Sequence, residues 1–189
     1  GITWKVMTID FPFFFTNIFG LTIADTATLM LIARMFDVVT DPLMGSLADR
    51  TQSRWGTYRP WLIFGSIPLG LIFAMLLFTP DFGPMGKRIW AYSLYLMMMA
   101  VYTVVNVPYG SLLGVMTDDD NEKNVFSSFR MVGAYAMGFI TLFSFPYLQQ
   151  MIGGEPAYQY AVIGASLGAV AALMTFACGM MTKERLKPV

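Results

Sequence analysis

The stretch Leu29-Met30-Leu31-Ile32-Ala33-Arg34-Met35-Phe36-Asp37-Val38-Val39-Thr40-Asp41-Pro42-Leu43-Met44-Gly45 is mostly apolar, yet it carries three charges. At about 100° per residue, positions 34, 37 and 41 fall on one helix face, with Thr40 at its edge. Ionisable groups in a membrane span are costly and by default mark a functional site. Two carboxylates and a hydroxyl therefore converge beside a fixed positive charge. The polar run Asp49 to Arg59 follows directly.

Composition places this stretch in a membrane protein. The chain is 56% hydrophobic and 15% aromatic but only 13% charged, and it has no histidine. Soluble domains average about a quarter charged. Sixteen methionines, sixteen phenylalanines and seventeen glycines suit helices packed in lipid, with small residues at contacts and large ones facing acyl chains. Cys178 is the only cysteine, so an intrachain disulfide is excluded. Net charge is zero, which gives no reason to expect nucleic acid. The absence of a signal peptide or initiator methionine reads as a cut inside a longer reading frame.

Hydrophobic segments of about 20 residues, long enough to span about 30 Å of hydrocarbon, recur along the chain. The expected spans are 2–19, 23–48, 61–78, 89–116, 125–149 and 158–181, a six-helix transmembrane bundle over residues 1–189. Loop charge predicts its orientation. Arg50, Arg54 and Arg59 follow the second span, Lys123 follows the fourth, and Lys183, Arg185 and Lys187 follow the sixth, whereas the opposite loops hold only Lys87 and Arg88. By the positive-inside rule both termini are cytoplasmic.

Each polar residue at membrane depth has a functional and a structural reading. Asp37, Thr40 and Asp41 offer the hard oxygens that Na⁺ or a proton seeks, and Pro42 frees the Val38 carbonyl as a further ligand. The structural reading is an internal salt bridge to Arg34, but one arginine does not neutralise two buried acids. Thr103 and Asn106 lie one turn apart, followed by Pro108 and Tyr109. They suit a cation and a hydroxylated ligand, or serve as interhelical glue. Arg130 either reaches a central cavity to bind sugar hydroxyls or a carboxylate, or snorkels to the headgroups. Lys5 can snorkel, while Asp10 lies deeper and is a ligand-site candidate. Gly164, Gly168 and Ala172, at four-residue spacing, mark a close helix contact.

Ala33-Arg34-Met35-Phe36-Asp37-Val38-Val39-Thr40-Asp41-Pro42-Leu43-Met44-Gly45, the following Ala48-Asp49-Arg50-Thr51-Gln52-Ser53-Arg54-Trp55-Gly56 and then Arg59-Pro60-Trp61 together resemble a family signature. It is that of the glycoside-pentoside-hexuronide:cation symporters of the major facilitator superfamily. Tyr102-Thr103-Val104-Val105-Asn106-Val107-Pro108-Tyr109, Arg130 and Thr182-Lys183-Glu184-Arg185 extend the resemblance over the whole chain. It implies the N-terminal six-helix half of a twelve-helix transporter in a bacterial inner membrane. It also implies a coupling-cation site at Asp37, Thr40, Asp41 and Thr103, taking Na⁺ or H⁺, with Arg34 beside it. Sugar contacts fall at Asn106 and Arg130, and the loop holding Asp49, Arg50, Arg54 and Arg59 helps lock the inward gate. No cofactor is implied beyond the coupling ion.

The chain departs from the pattern in places. The family's best-known member has asparagine at the position of Thr40, which opens H⁺ coupling as well as Na⁺. It has aspartate at Asn106 and a stacking tryptophan at Gly110, so the sugar need not be a galactoside. Its acidic sugar-binding residue in the first helix would fall near Gly1. Two other readings stand beside symport. One is a half or assembly subunit that needs a separate C-terminal half, in cis or in trans. The other is a metal-dependent membrane phosphoalcohol transferase, but such sites need four aspartates, and here Asp41 is followed by Pro42 and the later pair is absent.

Overall fold

The computed structural model describes residues 11–80 and 82–185. Within them the chain forms six helices: α1 (Phe11–Asn17), α2 (Ile23–Asp49), α3 (Arg59–Leu76), α4 (Pro84–Met116), α5 (Asp120–Ile152) and α6 (Pro156–Met181). Residues 2–10 of the expected first span, with Lys5 and Asp10, lie outside the described residues, as does Lys187.

Four helices, α3 to α6, are long and apolar enough to cross a membrane. α2 has the length, since its 27 residues extend about 40 Å at ~1.5 Å per residue. What sets it apart is Arg34, Asp37 and Asp41 in its middle.

Local chemistry fixes the ends. Thr22 caps α2: its hydroxyl accepts from the Asp25 amide at 3.0 Å and donates to the Asp25 carboxylate at 2.8 Å. α3, α4 and α6 all have proline in the first turn, where no amide partner is lost. α5 starts at the acidic run: Asp119 accepts from the Asn121 amide at 2.8 Å, and Asp120 and Glu122 meet the positive end of the helix dipole. Gly153 and Gly154 turn the chain into α6 with φ of +64° and +82°, a region open to glycine at little cost.

The bundle is organised on the antiparallel pair α3 and α6, the most extensive helix contact. A Cβ on Gly168 would lie 2.7 Å from the Gly70 carbonyl oxygen, and one on Gly70 would lie 2.8 Å from that of Gly168. Gly164 meets Leu77 and Gly179 meets Ile63 as closely. The expected contact face of Gly164, Gly168 and Ala172 is thus where the two backbones touch. α4 packs on α3, α2 packs on α4, and α5 has few contacts.

Two apolar clusters fill the interior. The larger, at the end where α4 begins, gathers Phe11, Phe14, Phe15 and Phe19 against Phe73, Tyr95, Phe145 and Tyr160. Phe14 stacks on Tyr160 at 5.1 Å, and Phe145 meets the same ring edge-on at 5.1 Å. The smaller cluster, at the end where α3 begins, holds Met44, Ala48, Tyr58, Leu62, Leu112 and Val115. Along α2 the first cluster stops at Ala33 and the second starts at Met44. Asp37, Thr40 and Asp41 occupy the gap between them.

Candidate functional site

A cross-helix hydrogen bond spans the gap. Thr103, buried on α4, donates its hydroxyl to Asp41 Oδ1 on α2 at 3.0 Å. Four residues earlier, Asp37 pairs with Arg34 within α2, with Nη1 and Oδ2 at 3.6 Å. The two carboxylates are thus held differently, one by a neutral donor on a neighbouring helix and one by a cation on its own. Thr40 donates to the Phe36 carbonyl at 3.0 Å, so its oxygen retains lone pairs for another donor or ion. α2 continues unbroken through Pro42.

A cavity of about 420 Å³ lies beside this cluster among α3, α4, α5 and α6. Tyr102, Asn106 and Tyr109 form its α4 wall, Arg130 comes from α5, and Thr175 and Cys178 come from α6. The guanidinium of Arg130 sits over the Tyr109 ring, 5.6 Å from its centroid. Gly110 lies next to it: a Cβ there would make ordinary contact with Arg130 Nη1, at 3.9 Å. Asn106, Tyr109 and Arg130 therefore share one cavity. Thr103 does not line it, and faces Asp41 instead.

Several lining groups escape the sequence reading. Tyr102 was missed although a signal for it exists, since 102, 106 and 109 have the i, i+4, i+7 spacing of one helix face. Thr175 and Cys178 carry no such signal, because nothing in α6 alone tells which face meets a cavity.

At the α3 end the loop residues divide. Asp49 accepts from the Tyr58 hydroxyl at 2.6 Å. Burial, and then this hydrogen bond to a carboxylate, push the Tyr58 hydroxyl up to about 12. Arg59 donates from Nε to the Gly179 carbonyl at 2.9 Å and from Nη2 to that of Met180 at 3.1 Å. Arg54 lies over the Trp55 ring, 5.2 Å from its centroid, and Arg50 is exposed.

Four helices long and apolar enough to cross a membrane, charged residues in the middle of α2 and a cavity lined in part by Asn106, Tyr109 and Arg130 are the features of an integral membrane protein with a polar interior. Residues 1–188 match the model of the MFS/sugar transport protein family, and the chain belongs to that family. It is 40% identical over 178 residues to the inner membrane symporter YicJ of Escherichia coli, a match covering 93% of this chain and 38% of that protein. It is 38% identical over 189 residues to the putative glycoside/cation symporter YagG of the same organism, covering 98% of this chain and 40% of YagG. The isoprimeverose transporter of Lactiplantibacillus pentosus is 29% identical over 193 residues, which is 100% of this chain and 40% of that transporter. These matches bear out the resemblance to the glycoside and cation symporters. The chain spans about 40% of the length of these relatives. They are symporters and transporters, not enzymes, which sets the phosphoalcohol transferase reading aside.

Proposed function

We propose that this chain supplies the coupling-cation site and half of the sugar site of a glycoside:cation symporter. The observation that carries the reading is the Thr103–Asp41 bond in the gap between the two apolar clusters. Asp37, Thr40, Asp41 and Thr103 present carboxylate and hydroxyl oxygens to Na⁺ or H⁺, with Arg34 as neighbouring counter-charge. Asn106, Tyr109 and Arg130 bind the sugar in the adjoining cavity. Asp10, outside the described residues, is a further contact for it. The loop with Asp49, Arg50, Arg54 and Arg59 belongs to the inward gate, and both termini are cytoplasmic.

Coupling follows from α4. Thr103 serves the acid, while Tyr102 and Asn106 line the cavity. A cation that draws Asp41 and Thr103 together resets the same helix that holds the sugar's hydrogen-bonding groups. By linkage, sugar must raise cation affinity by the same factor. Alternating access then requires a second bundle rocking against this one. The outward apolar side chains of α2 and α5, such as Leu31, Val38, Leu43, Phe129 and Phe143, supply a surface for a C-terminal six-helix half. The second reading is a half or assembly subunit that needs a separate C-terminal half, in cis or in trans.

The test is cation-dependent uptake of labelled glycosides into proteoliposomes, with this chain alone and with a C-terminal half added. In the full-length protein Asp37→Asn is expected to abolish the cation dependence of sugar binding. Intact cation dependence in that variant sinks the assignment.

A further inference from the structure

The segment after α6 returns to the loop between α2 and α3 and closes on it. The carboxylate of Glu184 accepts three consecutive backbone amides: Thr57 at 2.7 Å on Oε2, and Tyr58 at 2.8 Å and Arg59 at 3.0 Å on Oε1. These amides open α3, so the carboxylate both satisfies unpaired donors and meets the positive end of the helix dipole. Arg59 does the reverse, donating to the carbonyls of Gly179 and Met180 at the negative end of α6. Each helix of the antiparallel pair is capped by a charge from beside the other. The Arg185 amide adds a bond to the Val115 carbonyl of α4 at 2.9 Å.

Gly56 makes the closure possible. Its φ is +112°, and a Cβ there would lie 2.5 to 2.6 Å from all three atoms of the Glu184 carboxylate. No side chain fits without displacing the acid. The loop is otherwise held by short-range bonds, Ser53 to the Gly56 carbonyl and Trp61 to Thr51.

We infer that Glu184, seated through Gly56, is a permanent staple that locks the 50–58 loop and the post-α6 segment to the α3–α6 pair. On this view Arg59 is part of a fixed platform, and only the side chains of Arg50 and Arg54 can change partners while the loop backbone stays locked. Every partner of the staple lies within this bundle and most are backbone groups, so a rocking motion between two bundles leaves it shut. The staple rests on geometry alone; its staying shut during turnover rests on the transport reading.

The experiment is limited trypsin digestion of the intact full-length protein in detergent, following cleavage at Arg54, for Glu184→Ala, Glu184→Gln, Gly56→Ala and the Gly56→Ala/Glu184→Ala double variant. Loss of the charge-assisted bonds is expected to raise the cleavage rate at least about tenfold in each alanine variant. Glu184→Gln, which keeps an acceptor without the charge, falls between. The double variant cleaves no faster than the worse single one, because both changes remove one contact. Unchanged cleavage in Glu184→Ala, or effects that multiply in the double variant, overturns the staple. A second arm joins Thr57→Cys to Lys183→Cys with a flexible bis-maleimide in a Cys178→Ala background and, because Cys178 lines the cavity, compares glycoside uptake with that of the same variant before cross-linking. Uptake that survives cross-linking supports a staple that stays shut, and uptake abolished by it shows that the contact opens during turnover. Absence of uptake in the unmodified protein refutes the transport reading, while the digestion still decides the staple.

Discussion

Replacing Thr103 by valine removes one oxygen and keeps the shape of a side chain that is 4% exposed. The hydroxyl donates to Asp41 at 3.0 Å. Hydrogen bonds to charged groups contribute about 1.5–3 kcal/mol. If the same oxygen helps to hold the coupling cation, the loss corresponds to roughly a 10- to 150-fold weaker cation activation of sugar binding. The assay is equilibrium binding of a labelled glycoside to the full-length protein across a titration of Na⁺, repeated across pH for H⁺. The expected signature is a rise in the half-activating cation concentration with little change in sugar affinity at cation saturation. Thr103→Ser, which restores the oxygen, returns it most of the way. A valine variant with an unaltered cation titration refutes the reasoning, because the bond would then be interhelical glue. A loss of sugar affinity at every cation concentration also refutes it, placing Thr103 in the sugar site.

Three other outcomes follow from the geometry. Arg130→Lys, which keeps charge but not the planar fork, should weaken sugar binding by about tenfold or more while leaving cation binding without sugar near normal; a normal sugar isotherm would mean that Arg130 only snorkels. Gly168→Ala should lower the thermal midpoint in detergent by an amount corresponding to about 1–3 kcal/mol, because its Cβ meets the Gly70 carbonyl oxygen at 2.7 Å. Gly114→Ala, with nothing within 4 Å of its Cβ, is the control, and equal effects would refute the close-contact account. For Tyr58, whose hydroxyl is raised from 10.0 to about 12, the folded state favours the protonated form. Its contribution is present in full below pH 10 and is lost as pH rises through about 12. Alkaline melting curves of Tyr58→Phe should therefore fall less steeply over that window, and superimposable curves would show that Tyr58 does not matter there.

The helical, membrane-crossing character was legible because apolar length is itself the signal, and Gly164 and Gly168 gave away one close contact by spacing. The acidic run Asp118 to Asp120 reads as loop charge in the sequence. The fold uses Asp119 as a cap and Asp120 in the first turn of α5, a role that depends on where the helix begins. The same limit applies at the site. Asp37, Thr40 and Asp41 announce themselves on one helix, but the choice of Asp41 over Asp37 as the partner of Thr103 comes from the packing of α2 on α4, 62 residues apart in the chain. Glu184 is an ordinary charge in a polar tail until the chain returns it to Gly56. Residues whose partners are local were visible, and residues whose partners are distant were visible only as types.

The arrangement separates what must stay fixed from what can move. α3 and α6 are locked by backbone contact at Gly70 and Gly168 and by charges at their Arg59 end. A shift there would break several close contacts at once. Between the two apolar clusters, α2 and α4 are joined by a polar contact, the hydroxyl–carboxylate bond of Thr103 and Asp41. On the proposed reading, a cation bound at Asp41 and Thr103 changes how α2 sits on α4 there, while the two apolar clusters keep their packing. α4 also lines the cavity with Tyr102, Asn106 and Tyr109, so on the same reading that local change is carried along this helix to the proposed sugar groups. Coupling requires interactions that differ between the empty and loaded states, and on the proposed reading those interactions lie in the gap.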